Sequence, residues 1–243
     1  MARRVRLTAA LSRLGVQVTK VARWLTKLAV FATLLWLLFP ARGENPLPNC
    51  LYGKYTQGNE ETAVEPCGPD TKGIGADTDV QAVMRTFEIP PNMVAFQACP
   101  GGRFLAMPNV NDDGHFLVRY PSHVQQNYLA PIVHELAHVV QMRDAGNLAA
   151  LDPKNNSRRI ELGADFLAGL AFNIALRRLN GDDFETNLQL AGSYKVVADD
   201  HGPPEHRGQA FRRGLTRMDP YPNLTIVEAM RYWNANDYAR IRR

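Results

Sequence analysis

His134-Glu135-Leu136-Ala137-His138 sets two imidazoles four residues apart, with a carboxylate directly after the first. On an α-helix, residues i and i+4 share one face, so both rings can reach a single ion. Glu135 is rotated off that line but stays near enough to take a proton from a water that the ion activates. Histidine nitrogens suit zinc and a carboxylate suits general-base work, so the His-Glu-x-x-His spacing points to metal-assisted hydrolysis. The plainer alternative is two unrelated histidines on an ordinary helix.

Two histidines do not complete a catalytic zinc site, which needs three protein ligands and an open position. Metzincins place Gly and His three and six residues beyond the second histidine, and here those positions hold Gln141 and Asp144. Asp144 is therefore only a minor candidate ligand. Glu161-Leu162-Gly163-Ala164-Asp165 offers a better one, because Glu161 and Asp165 again share a helix face. Glu161 completes a two-histidine, one-glutamate set. Asp165, one turn on, could accept the other ring N–H of a ligating histidine and so fix its tautomer. A solvated acidic stripe is the alternative, but Leu162, Ala164, Phe166, Leu167, Ala168 and Leu170 make an odd setting for two exposed carboxylates. Gly163 and Gly169 would permit close helix approach.

These residues need elements to carry them. Asp77 to about Glu88 reads as a short helix capped by Asp77. Met93–Ala98 and Arg103–Met107 read as strands of a hairpin around Cys99-Pro100-Gly101-Gly102, and His115–Tyr120 as a third strand after Asp112-Asp113-Gly114. A helix starting at or just before Pro131 carries the histidines to about Asp144 and stops at Gly146. A long helix should follow from a Ser157 cap to about Leu179, then two or three shorter ones. The expectation is an α+β fold: a mostly helical, zincin-like domain over residues 76–243 with a small antiparallel sheet. Residues 44–75 read as an irregular entry segment, and residues 1–43 as a leader.

The leader accounts for the basic balance. Of the 243 residues, 28 are Lys or Arg and 24 are Asp or Glu. Arg3, Arg4, Arg6, Arg13, Lys20, Arg23 and Lys27 precede any acidic residue; without them, 21 basic face 24 acidic residues, a balance of −3. Such a body gives no basis for nucleic-acid binding. Leu28–Phe39 is an uncharged apolar run that suits a secretory signal, with Ala41 and Gly43 as small residues for cleavage before Glu44. An uncleaved anchor over residues 21–41 is the other reading. Both send the body across the membrane, to a periplasmic or extracellular location, with membrane attachment through the N-terminal segment if it is retained. A buried first helix is the plain alternative. Cys50, Cys67 and Cys99 then allow one disulfide and one leftover thiol, and spacing does not choose the pair.

Ile132–Gln141, followed by Glu161–Gly169, resembles the bacterial neutral zinc metallopeptidases, gluzincin-like proteins with an N-terminal membrane segment. His201-Gly202-Pro203-Pro204-Glu205-His206-Arg207 is similar to an element near that family's C-terminal end. The Pro100-Gly101-Gly102 turn and the two helix motifs also resemble other membrane-linked zinc peptidases. The likeness spans roughly residues 92–215, and the chain departs from it in lacking a cysteine-rich stretch upstream and in its long basic leader. It implies Zn²⁺ held by His134, His138 and Glu161, Glu135 as general base, Asp165 behind a histidine, and a peptide or protein substrate. His201, on an expected loop, could then donate to the oxyanion of the attacked carbonyl, as could Arg207. The plainer reading of that stretch is a helix-entry loop with Arg207 bridging to one of the acids. A non-catalytic zinc-binding envelope scaffold of the same fold is the competing function.

Overall fold

A computed structural model of the chain describes residues 67–100, 104–109, 111–124, 127–146, 149–151, 153–190, 202–217 and 224–241. All of these belong to one compact unit, residues 47–243. The leader with its apolar run, Cys50, most of the entry segment and His201 lie outside the described residues. No described helix is long and apolar enough to cross a membrane.

Helix α1 (Thr78–Thr86) starts where Asp77 turns its carboxylate onto the backbone N–H groups of Asp79 and Val80. Three strands follow: β1 (Val94–Cys99), β2 (Leu105–Pro108) and β3 (Phe116–Pro121). They form a sheet in the order β1-β3-β2, with β1 parallel and β2 antiparallel to β3. This corrects two expectations: the sheet is mixed rather than antiparallel, and β1 and β2 do not pair as a hairpin. The hairpin that forms is β2–β3, closed around Asp112-Asp113-Gly114, where Gly114 takes φ 79°. Glycine reaches that conformation without steric cost. On its far edge β1 meets the entry segment instead, through the Gly68–Ala98 bridge and the Cys67–Cys99 disulfide.

Helix α2 (Leu129–Ala145) has Pro131 in its first turn, where a missing N–H costs nothing, and stops at left-handed Gly146. Every residue from Ala130 to Met142 is buried, so α2 has no solvent face over that stretch. It lies against β2 and β3 on one side and α3 (Pro153–Ala171) on another. The start of α3 falls four residues before the expected Ser157 cap, which sits inside the helix. Pro153, preset near helical φ, supplies the start instead. A π-helical turn, Phe172–Leu176, extends α3. Then come α4 (Gly181–Leu190), α5 (Pro204–Arg217) and α6 (Ile226–Tyr232), the last running through a π-helical turn, Trp233–Asp237, into α7 (Tyr238–Ile241).

Helices α3 and α5 pack closely. A Cβ at Gly169 would stand 2.0 Å from the Phe211 carbonyl oxygen, and one at Gly214 2.0 Å from that of Phe166. Backbone meets backbone at this crossing, which joins the second half of α5 to the last turns of α3. The result is a mostly helical α+β fold.

Candidate metal centre

Helix α2 carries His134, Glu135 and His138, and α3 brings Glu161 and Asp165 to the same place. His134 Nε2 lies 3.0 Å from Glu161 Oε2 and 3.1 Å from His138 Nε2, while His138 Nε2 lies 3.4 Å from Glu161 Oε2. The two rings stand edge to face, 4.6 Å between centroids. His134, His138 and Glu161 thus offer one ligand atom each within 4.8 Å of one another, a group that could hold a metal ion. All three side chains are buried.

The outer ring nitrogens decide which atoms face inward. His134 Nδ1 lies 2.8 Å from Asp165 Oδ1, a carboxylate that can only accept, so Nδ1 carries a hydrogen. His138 Nδ1 lies 2.8 Å from Gln141 Oε1, with Gln141 Nε2 donating to the Ile160 carbonyl at 2.8 Å. With both Nδ1 atoms committed as donors, both Nε2 atoms turn lone pairs toward the carboxylate of Glu161. Three acceptors at 3.0–3.4 Å repel one another unless a proton or a cation sits among them.

The buried charges point the same way. Among the described residues, the carboxylates of Glu135, Glu161 and Asp165 and the guanidinium of Arg207 are all buried. Arg207 grips Asp165 with two bonds, Nη2 to Oδ1 at 2.7 Å and Nε to Oδ2 at 2.8 Å. A cation beside these carboxylates would offset part of the cost of burying them. Without one, burial opposes a charged His134, but the Asp165 and Glu161 carboxylates outweigh it and raise the ring's pKa to about 9. Burial likewise works against the Asp165 carboxylate, yet Arg207 and His134 hold its pKa below the ordinary value. The donor chemistry and the geometry fit a metal ion.

Glu135 is buried beside this cluster, and its Oε2 accepts the backbone N–H of Ala106 in β2 at 2.7 Å. Asp144 is not a ligand, a correction to its minor candidacy: its carboxylate takes the Arg231 guanidinium at 2.8 Å. Near the end of α2, it points to α6 instead of the centre. Arg207 takes the plainer of its two expected roles, bridging to Asp165. His201 lies outside the described residues; Gly202, next to it, has a Cβ direction 3.6 Å from Arg158 Nε and 3.7 Å from Leu162 Cδ2 on α3. Gln141 was missed as a site residue, although its i+3 position from His138 was a usable signal.

No family model, no curated protein and no solved structure matches this chain.

Proposed function

We propose that this protein is a zinc-dependent hydrolase of peptide bonds that acts outside the cytoplasm. One observation carries the reading: His134 Nε2, His138 Nε2 and Glu161 Oε2 converge from two helices, with both outer ring nitrogens tied off. Two imidazoles and one carboxylate are a ligand set suited to zinc with a position left for chemistry. Zinc held there would polarise a substrate carbonyl and bring the pKa of a water toward neutrality. Glu135 takes the proton of the attacking water and returns it to the leaving amine. The Ala106 N–H fixes the direction of its carboxylate. Asp165 keeps His134 in the tautomer that presents Nε2, and Arg207 keeps Asp165 ionised. His201 is the proposed donor to the oxyanion.

The basic, apolar leader supports export, and a Cys67–Cys99 disulfide suits an oxidising compartment. Retained, the leader would tether the protein to the membrane.

Metal analysis of the full chain, paired with hydrolysis of casein and insulin chain, tests the reading. Glu135→Gln should keep stoichiometric zinc and lose activity by about 10²–10⁴-fold. His138→Ala and Glu161→Ala should lose the metal. Wild-type hydrolysis by Glu135→Gln would remove the general base from the account, and full zinc in Glu161→Ala would remove the ligand set.

A second reading, a non-catalytic metal-binding envelope protein, is favoured by the closure of the site. His138 is 0 % and Glu161 1 % exposed, and Glu135 is engaged by β2. Stoichiometric zinc without turnover of any peptide substrate would select it.

A further inference from the structure

We infer that Gln141 is a positioning residue that orients His138 and ties it to the helix bearing Glu161. The inference rests on the metal-centre reading above and concerns how that centre is held. Gln141 lies one turn beyond His138 on α2 and is buried. Its amide makes two bonds of opposite sense: Oε1 accepts from His138 Nδ1, and Nε2 donates to the carbonyl of Ile160, the residue before Glu161.

The Ile160 carbonyl can only accept, so it fixes which end of the amide faces it. The oxygen must then face the imidazole, the proton must sit on Nδ1, and the Nε2 lone pair is left for an ion. One side chain thereby couples both metal-bearing helices. A shift of α3 along α2 would drag the amide, and with it the ring, so ligand nitrogen and ligand oxygen keep their spacing.

Gly163 makes room for this arrangement. A Cβ there would stand 2.9 Å from Gln141 Nε2 and 3.2 Å from Trp233 Nε1. Trp233 is fully buried and stacked on Phe166 at 5.1 Å, so neither neighbour has open space to retreat into. The close approach of the amide explains a glycine in the interior of a buried helix, despite its poor helix propensity.

The test uses the full chain. Gln141→Met keeps the volume and unbranched shape but removes both bonds. Zinc affinity, measured by competition with a chelator, should fall about 10–100-fold. The visible spectrum of the cobalt-substituted protein should also change, which a general loss of stability would not produce. Gly163→Ala should weaken zinc in the same direction by displacing the amide. On a Gln141→Ala background that step should cost much less, since no amide remains to displace. This pair carries the test should Gln141→Met fail to fold. Wild-type affinity with an unchanged cobalt spectrum in Gln141→Met would overturn the inference while leaving the metal centre standing, as would an equal Gly163→Ala effect in both backgrounds. A wild-type chain that takes up no zinc would overturn the centre itself, and this inference with it.

Discussion

His134 and His138 face each other at 3.1 Å yet are held from behind by unlike chemistry. His134 backs onto a buried chain of charges, Asp165 and then Arg207, that crosses α2, α3 and α5. His138 backs onto the neutral amide of Gln141, anchored within α2 and α3 alone. The first arrangement makes one side of the centre part of the tertiary structure, since Arg207 enters from 42 residues beyond Asp165. The second is local and costs little to desolvate. The charged side should therefore dominate stability. Arg207→Ala leaves a buried carboxylate without its guanidinium and should cost about 3–5 kcal/mol. Urea denaturation in the presence of chelator reads this directly. A loss below about 1 kcal/mol would mean the ion pair does not hold α5 to α3.

The same contrast has a pH signature. In the metal-free protein the His134 pKa rises to about 9 from an unfolded value of 6.5. The folded state then binds that proton more tightly, so its contribution is full below pH 6.5 and is lost as pH rises through about 9. Stability of the chelated protein should fall across that window by an amount on the order of 1–3 kcal/mol. The zinc-loaded protein should show no such decline, because the ion replaces the proton. Asp165→Asn removes the charge that raises the His134 pKa, so it should flatten the metal-free decline. It should also weaken zinc about 10–100-fold. An Asp165→Asn protein that keeps the full wild-type slope would place the titration elsewhere.

The candidate metal centre and the sheet were not equally legible in the sequence. Fixed helical spacing puts His134 with His138, and Glu161 with Asp165, on common faces, and the apolar setting of the acids argued that they point inward. Asp77 and Gly146 marked helix ends through local chemistry that the fold left undisturbed. Strand order was not local in this way. Two turn sequences competed for β2, and spacing alone does not rank Cys99-Pro100-Gly101-Gly102 against Asp112-Asp113-Gly114. The entry segment settled the other edge of β1, through Gly68 and Cys67. Ser157 failed as a cap because Pro153 had already begun the helix. Gln141 lies i+3 from His138, a spacing visible in the sequence, but its bond to the Ile160 carbonyl depends on the other helix and appears only in the fold.

A change at the neutral side separates the two sides most cleanly. Gln141→Met in the metal-free protein leaves the His138 Nδ1–H and the Ile160 carbonyl without their shared partner, which should cost about 1–3 kcal/mol. Retained volume limits any added packing loss. That cost should be the same at every pH from 6.5 to 9, because the amide carries no charge and the proton in question belongs to His134. Arg207→Ala should instead change the slope, since it alters the field at Asp165 and through it at His134. Denaturation curves of both variants at several pH values distinguish a shifted but parallel profile from one whose shape has changed. A changed profile in Gln141→Met would mean that the two rings share their proton across the 3.1 Å gap, and that the neutral and charged sides act as one titrating unit.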